Sequence, residues 1–204
     1  MNGSDALPNV SRETTERLEH LQSMLGRWTK KINLVASSTV NDAWNRHIVD
    51  SVQVYDLARP QVGMWADLGT GGGFPGLVIS IMAKELAPSL DVILVESDQR
   101  KCAFLRSVVR ELDLDATVKN SRIEKLDPLH ADFVSARALA PLKTLLGYAD
   151  RHLSPDGTAV FLKGAAWKKE LSEAQESWNF TCEPSKSVTD PNAVVLSIGA
   201  LAHV

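Results

Sequence analysis

One segment, residues 67–76, constrains the fold of this chain more than any other. It reads Asp-Leu-Gly-Thr-Gly-Gly-Gly-Phe-Pro-Gly and joins an apolar stretch typical of a buried strand to one typical of a helix. Glycine adopts backbone conformations closed to other residues and lets a ligand approach the main chain. Five glycines within eight positions are hard to explain as a simple connector. The segment therefore predicts a strand–turn–helix unit with a ligand at the turn.

From residue 63 onward, short apolar runs alternate with helical patterns. We expect strands at 64–68, 91–96, 116–120, 132–135, 158–162 and 193–198, with a further strand near 180–188. Helices are expected at 76–86, 101–112, 142–153 and 167–178. The stretch 92–95 is continuously apolar, as in strands that helices cover on both faces. The pattern predicts an α/β fold with a doubly wound, mostly parallel seven-stranded sheet, whose ligand lies beyond the carboxyl ends of the strands.

The residues before position 61 predict a helical extension. Ser11 is a suitable N-cap, and the apolar residues behind it recur at spacings of three and four, as on one face of a helix: Leu18, Leu21, Leu25, Trp28 and Ile32. A second amphipathic stretch carries Trp44, Ile48, Val52 and Tyr55 on one side. We therefore expect a disordered lead-in over 1–10, an N-terminal helical extension over 11–60 and the α/β domain over 61–204.

The charge balance and the scarce cysteines exclude several classes of protein. The formal net charge is −3, whereas a typical nucleic-acid binder is strongly basic, so any RNA contact must come from local basic clusters. The two cysteines are far apart and the five histidines are scattered, which predicts neither a structural disulfide nor a metal site. No stretch resembles a signal peptide or reaches transmembrane length. We expect a cytoplasmic protein with no membrane contact.

The spacing of the glycines formally fits a dinucleotide site. Residues 71–76 match G-x-G-x-x-G, and Glu96 follows about twenty residues later. The register argues against that assignment, because the strand is expected to end at Leu68 and the turn to begin at Gly69. Counted from Gly69, the third glycine position of the fingerprint is occupied by Phe74.

The acidic residues on either side of the turn favour another nucleoside ligand. Asp67, directly before the turn, suits a ligand with a cationic amino group better than one with a pyrophosphate. S-adenosylmethionine carries an ammonium and a sulfonium and has no phosphate. Glu96, at the end of the second strand, can accept hydrogen bonds from both ribose hydroxyls in either case. The residues therefore favour S-adenosylmethionine as the cofactor, with Asp67, Gly69, Gly71 and Glu96 at its site.

Seven short motifs extend the comparison over roughly residues 25–164. Together, in this order and spacing, the sequence resembles the RsmG (GidB) family of bacterial 16S ribosomal RNA guanine-N7 methyltransferases. The motifs are Trp28…Asn33-Leu34, Arg46-His47…Asp50-Ser51, Gly73-Phe74-Pro75-Gly76, Lys101…Phe104-Leu105-Arg106, Ser121-Arg122-Ile123-Glu124, Ser135-Ala136-Arg137-Ala138…Ala140-Pro141-Leu142 and Leu162-Lys163-Gly164.

The resemblance implies a Rossmann-like class I S-adenosylmethionine-dependent methyltransferase. Its implied substrate is a guanine N7 in the 530 loop of 16S ribosomal RNA, presented as free RNA or in the small-subunit particle. The implied cofactor contacts fall on Gly69, Phe74, Ile123, Glu124 and Arg137, with Ile123 and Glu124 at the adenine. Candidate substrate contacts are Arg46, His47 and Lys163.

The residues after the fourth strand agree with N7 chemistry. Methylation of an exocyclic amine typically uses an Asn/Asp-Pro-Pro-aromatic motif there, and cytosine C5 methylation needs a nucleophilic cysteine. This chain has Ser135-Ala136-Arg137-Ala138 instead. Guanine N7 presents an in-plane lone pair and carries no proton, so alignment alone can supply much of the catalysis. We expect no general base, and we expect Arg137 to position the reactants.

Other interpretations of these residues stay open at this point. A small-molecule methyltransferase would suit the acidic charge balance, and a nucleotide-binding module without catalysis would use the same turn. His47 on an amphipathic helix can be a packed residue, and Arg46 and Asp50 have the spacing of a helical ion pair. Arg137 can belong to a buried ion pair. The basic residues can be solvated, or can together rim a cleft and meet phosphates: Arg27, Lys30, Lys31, Arg100, Lys101, Arg106, Arg110, Lys163, Lys168 and Lys169.

Overall fold

The computed structural model describes residues 10–36, 39 and 42–204. The expected lead-in over 1–10 therefore lies outside the described residues, apart from Val10. Ser11 caps the first helix, α1 (Arg12–Thr29), and its side chain accepts a hydrogen bond from the Thr14 amide, as predicted. A π-helical turn, Trp44–Val49, then leads directly into α2 (Asp50–Ala58).

Seven strands and four further helices follow, alternating except between the third and fourth strands, which a single 3₁₀ turn connects, and between the last two strands. The strands are β1 (Val62–Leu68), β2 (Ser89–Glu96), β3 (Ala116–Asn120), β4 (Ala131–Arg137), β5 (Leu153–Lys163), β6 (Trp178–Lys186) and β7 (Val194–His203). The helices are α3 (Gly76–Leu86), α4 (Gln99–Glu111), α5 (Leu142–His152) and α6 (Trp167–Gln175). Every strand and helix expected from the sequence after residue 63 is present.

The seven strands form one sheet in the order β3-β2-β1-β4-β5-β7-β6. All neighbouring pairs are parallel except those of β7, which runs antiparallel to both β5 and β6. The predicted mostly parallel seven-stranded sheet is confirmed. The direction of progress across the sheet reverses between β1 and β4, and a crevice at the carboxyl ends of strands is the usual ligand site at such a point.

The boundaries differ from the predicted ones in two places that matter for function. β4 extends to Arg137, so this residue ends the strand and does not follow it. The second amphipathic helix begins with the π-helical turn. In such a turn residue i hydrogen-bonds to i+5, so positions i and i+4 no longer align along the axis. The apolar spacing gave no sign of this local widening.

The helical extension shares its core with the α/β unit. Leu18, Leu21 and Leu25 of α1 are buried in the same apolar cluster as Leu77 of α3 and Phe104 of α4. Burying such side chains contributes roughly 1.5–3 kcal/mol each, so the extension is held firmly against α3 and α4, the helices on one face of the sheet. A second cluster, packed around α5, covers the opposite face.

Among the described residues, no helix is long and apolar enough to cross a membrane.

Candidate functional site

A cavity of about 720 Å³ opens at the carboxyl ends of the central parallel strands. The glycine-rich turn, the end of β2, the 121–124 segment and the residues after β4 form one side of it. The helical extension and the 187–190 segment between β6 and β7 form the other side. The structure brings ten of the predicted site residues to this lining: Arg46, His47, Gly69, Gly71, Phe74, Glu96, Ile123, Glu124, Arg137 and Lys163.

The turn exposes its main chain to the cavity. Gly69 and Gly71 have φ angles of +63° and +59°, a region that L-residues rarely adopt. A Cβ atom on Gly71 would meet nothing closer than the Gly69 carbonyl oxygen at 3.8 Å, so the space in front of Gly71 is open. The Thr70 amide donates to the Val95 carbonyl at 3.0 Å and ties the turn to β2. This open cradle fits a ligand that lies against the backbone.

Asp67 holds the turn from beneath and lies outside the cavity lining. Its side chain is fully buried, where Oδ2 accepts from the Gly76 amide at 2.9 Å and Oδ1 accepts from Ser135 Oγ at 2.7 Å. Burial raises the pKa of this carboxyl to about 6. The position of Asp67 before the turn had predicted contact with a ligand's ammonium group. The structure does not place it there, because the side chain is fully buried beneath the turn and does not reach the cavity lining.

Glu96 links the turn to the end of β2. Its Oε2 accepts from the Gly71 amide at 3.0 Å, and Oε1 accepts from the Asp98 amide at 2.7 Å. The side chain is largely buried but lines the cavity. A carboxylate has about four acceptor sites, so each oxygen can accept a further hydrogen bond from a ligand hydroxyl.

The 121–124 segment forms the wall next to Glu96. The Ser121 amide donates to the Glu96 carbonyl at 3.0 Å, and a single 3₁₀ turn, Ile123–Lys125, follows. Ile123 is buried whereas Glu124 is exposed, so an apolar surface and a carboxylate lie side by side. His152, buried below, contacts the Ile123 carbonyl with its Nε2 at 3.0 Å. Such a wall suits a flat heteroaromatic ring with polar edges.

Arg137 joins the two sides of the cavity. Its Nη1 donates to the Arg46 carbonyl at 2.8 Å and lies 3.4 Å from Asp50 Oδ2, and its Nη2 lies 2.9 Å from His47 Nδ1. The guanidinium carbon is 5.3 Å from the centre of the Phe74 ring. The residue that the sequence placed at the reaction site is therefore paired with the helical extension.

His47 is a packed, neutral side chain at the same place. Its ring stacks on Phe74 with the ring centres 5.0 Å apart, and its Nε2 lies 2.9 Å from Thr39 Oγ1. Burial, together with the positive charge of Arg137, lowers its pKa from 6.5 to about 4. Since Arg137 can only donate, Nδ1 is the acceptor and Nε2 carries the proton. His47 is thus held as a neutral acceptor for the guanidinium.

We expect the His47 imidazole to titrate with a midpoint near pH 4 when followed by NMR of its ring nitrogens. Its pKa is lower in the folded chain than in the unfolded chain, so its contribution to stability is present above pH 6.5 and is lost as the pH falls towards 4. Arg137→Ala removes one of the causes, so the midpoint should rise in that variant. A midpoint near 6.5 in the parent protein would contradict the neutral, packed state.

The two other candidate substrate residues differ in availability. Lys163 is only 9% exposed at its side chain, where Nζ lies 2.6 Å from Glu170 Oε2 and donates to the Ala140 carbonyl at 3.0 Å. Arg46 is 46% exposed and lies 3.7 Å from Asp190 Oδ2. The Lys163 ammonium is therefore engaged in contacts within the protein, whereas Arg46 is accessible to a substrate.

Sequence reasoning missed one whole wall of the site. Ser187, Thr189 and Asp190 line the cavity from the connection between β6 and β7. The helical ion pair of Arg46 with Asp50, one of the alternatives left open by the sequence, is not formed, because Arg46 pairs with Asp190 and Asp50 pairs with Arg137. The polar stretch 187–192 was the available signal, but nothing in it indicated which strand ends it would face.

Within the described ranges, no group of three or more His, Cys, Asp or Glu side chains is arranged to hold a metal ion. The expectation of a metal-free site stays a prediction.

Comparison with known sequences gives one matching family and relatives that share a single name. The profile of the GidB family, described as rRNA small subunit methyltransferase G, matches residues 14–194. The chain is 53% identical to the ribosomal RNA small subunit methyltransferase G of Ruegeria pomeroyi over 196 residues, which is 96% of each chain. It is 50% identical to the protein of the same name from Ruegeria sp. strain TM1040, covering 96% of this chain and 95% of that one.

Comparison with solved structures identifies the architecture. A TehB-like SAM-dependent methyltransferase from Corynebacterium glutamicum superposes with a TM-score of 0.60 at 16% identity, covering 89% of this chain and 98% of the other. The ribosomal protein L11 methylase of Lactobacillus delbrueckii subsp. bulgaricus gives 0.59 at 18% identity, covering 76% and 78%. At these identities the likeness shows the fold alone, and it confirms the predicted Rossmann-like class.

Proposed function

This chain belongs to the rRNA small subunit methyltransferase G (GidB) family, and from that premise we propose that it methylates N7 of a guanine in the 530 loop of 16S ribosomal RNA. Membership of this family itself gives the general activity, which is methyl transfer from S-adenosylmethionine to ribosomal RNA. The resemblance predicted from the seven motifs is confirmed.

The glycine-rich side of the cavity fits the cofactor. We propose that the open main chain at Gly69 and Gly71 lies against S-adenosylmethionine, that Glu96 accepts its ribose hydroxyls, and that Ile123 and Glu124 flank its adenine. Support comes from the unfilled space at Gly71, the remaining acceptor sites of Glu96 and the paired apolar and acidic surface. When bound there, S-adenosylmethionine supplies an electrophilic methyl group on sulfur.

The observation that carries the N7 assignment is the neutral, fully occupied His47 beside Arg137. Both ring nitrogens are engaged, and the low pKa leaves the imidazole a poor base. Arg137 stays protonated and cannot act as a base either. Guanine N7 needs no proton removed, so orientation of the two reactants is sufficient chemistry for these side chains. Arg137 and Phe74 then form the boundary where the base meets the cofactor.

Mass spectrometry of 16S ribosomal RNA tests the proposal directly. Nucleosides and fragments from cells with and without the gene are compared, and the purified protein is then added back with labelled cofactor. We expect 7-methylguanosine in the 530 loop to disappear with the gene and to return on addition. Methylation at another atom or another loop would overturn the assignment, and turnover of a small molecule without RNA would favour the rival class.

We expect the single-turnover rate of methyl transfer to be nearly constant between about pH 6.5 and 9. A rate that needed one deprotonated side chain would instead change tenfold per pH unit below the pKa of that group. Rapid-quench assays with saturating RNA and cofactor measure the chemical step. A unit slope in log rate, ending at one enzyme pKa, would contradict a base-free reaction.

The proposed substrate also supports a cytoplasmic site of action, where bacterial ribosomal RNA is made and assembled. Arg46, Lys101 and Arg122 lie at the cavity lining and are available candidates for phosphate contacts. Free RNA and small-subunit particles can be compared in the same assay.

A further inference from the structure

One carboxylate, Asp50, connects the helical extension to both of the other walls of the cavity. Its Oδ2 lies 3.4 Å from Arg137 Nη1 at the end of β4. Its Oδ1 accepts from Thr189 Oγ1 at 2.8 Å and from Gln53 Nε2 at 2.8 Å. A single side chain at the first position of α2 thus contacts segments that are widely separated in the sequence.

We infer that Asp50 is a positioning residue, which holds the Arg137 guanidinium and the 187–190 segment in place around the reacting base. The inference rests on the proposed function, in which Arg137 borders the base and the cofactor. Asp50 itself is not required to touch either reactant.

Electrostatics explains why Arg137 needs this partner. The two side chains are 18% and 17% exposed, so their charges are largely removed from water. An arginine cannot discard its proton, and a buried charge without a counter-charge is strongly unfavourable. The other two partners of Arg137, the Arg46 carbonyl and neutral His47, supply only dipoles. In the described part of the chain, Asp50 is the carboxylate that forms an ion pair with Arg137.

The second oxygen of Asp50 fixes the opposite wall. Thr189 donates to it, and Gln53, which also donates to it, accepts from the Val188 amide at 3.1 Å through Oε1. Ser187 Oγ in turn accepts from the Thr189 amide at 3.2 Å. Asp50 and Gln53 therefore hold the 187–190 segment in place. A change at Asp50 acts on Arg137 and Thr189 together.

A double-mutant cycle on the full-length protein tests the inference, with Asp50→Asn, Arg137→Ala and the double variant. Asparagine keeps the size and one acceptor oxygen but loses the charge. We expect Asp50→Asn to lower the single-turnover methylation rate by at least ~10-fold, the effect of one charged hydrogen bond. In the Arg137→Ala background the same change should cost less than ~2-fold, because asparagine keeps an acceptor oxygen for Thr189 and the lost charge acts on Arg137. Asp56→Asn, on the same helix and outside the cavity lining, is the matched control and should leave the rate unchanged.

S-adenosylmethionine affinity and the melting temperature are measured for every variant. Additive losses in rate, with a matching loss in melting temperature, would mean that Asp50 only supports the fold and would overturn the inference. A normal rate in Asp50→Asn, or in Arg137→Ala, would overturn it as well. If the parent protein binds the cofactor but does not methylate ribosomal RNA, the proposed function fails instead. The same double-mutant cycle, with S-adenosylmethionine affinity as the measured quantity, then still tests whether Asp50 acts through Arg137.

Discussion

Gly69→Val is expected to weaken S-adenosylmethionine binding by at least ~100-fold, which corresponds to about 2.7 kcal/mol. A Cβ at this position would lie 2.6 Å from Leu139 Cδ1, and the φ angle of +63° is strongly unfavourable for a β-branched residue. The strain can be relieved only by moving the turn or Leu139, and both line the cavity. Titration calorimetry with S-adenosylmethionine, S-adenosylhomocysteine and NAD measures the loss. It also tests the ligand, because NAD should not bind the parent protein.

Substitutions at two other glycines serve as controls for Gly69→Val. Gly71→Ala places a methyl group in open cavity space, so it should reduce affinity with little change in melting temperature beyond the roughly 1–2 kcal/mol of a left-handed residue. Gly26 lies within α1, and apart from its own stretch of helix no atom lies within 4 Å of its Cβ position, so Gly26→Ala should be neutral or slightly stabilising and should not affect binding. Unchanged affinity in a folded Gly69→Val protein would remove this residue from the cofactor site.

Arg137→Ala is expected to lower the rate of methyl transfer by at least ~10-fold, since a hydrogen bond to a charged group contributes roughly 1.5–3 kcal/mol. The variant removes contacts to Arg46, His47 and Asp50 at once and leaves the Asp50 carboxylate without its ion-pair partner. Arg137→Lys should not restore full activity, because one ammonium cannot replace the planar fork that reaches Arg46, Asp50 and His47. Single-turnover assays with labelled cofactor separate this effect from product release.

Arg17→Ala is the matched control for the loss of a half-buried arginine. Arg17 lies on α1 with its side chain 21% exposed and pairs with Glu13 at 2.7 Å, away from the cavity. Its removal should change stability by about 0.3–0.5 kcal/mol and leave methylation intact. Full activity in Arg137→Ala would show that Arg137 has only a packing role.

The sequence predicted those parts of the structure in which local pattern and tertiary position agree. The bounds of α3 and β3 match the predicted ones. A glycine turn followed by an apolar run marks α3, and a short alternating segment marks β3. Most of the residues predicted to hold the cofactor line one cavity for the same reason: they lie at or after strand ends whose order the fold determines.

The other side of the cavity could not be predicted from local pattern. Arg46 lies in the π-helical turn, where its spacing from Asp50 no longer gives the ion pair of a regular helix; the two residues pair with Asp190 and Arg137 instead. The pairings of Asp50 with Arg137 and with Thr189 join positions 87 and 139 residues apart. Contacts of this range depend on the packed arrangement and leave no periodic trace in the sequence.

The antiparallel pairing of β7 has a consequence for the order in which the protein becomes active. The 187–190 segment lies between β6 and β7, so it reaches the cavity only when these two strands have paired at the edge of the sheet. The N-terminal helical extension, which carries Asp50, must also have packed at the cavity. During synthesis the earlier strands are available first, and the last wall is added when the C-terminal hairpin emerges from the ribosome. A nascent chain can therefore complete its glycine turn before it possesses the 187–190 wall of the cavity. A chain ending before residue 187 would lack Thr189, the partner of Asp50, so its cavity would stay open on that side however well its glycine turn had formed.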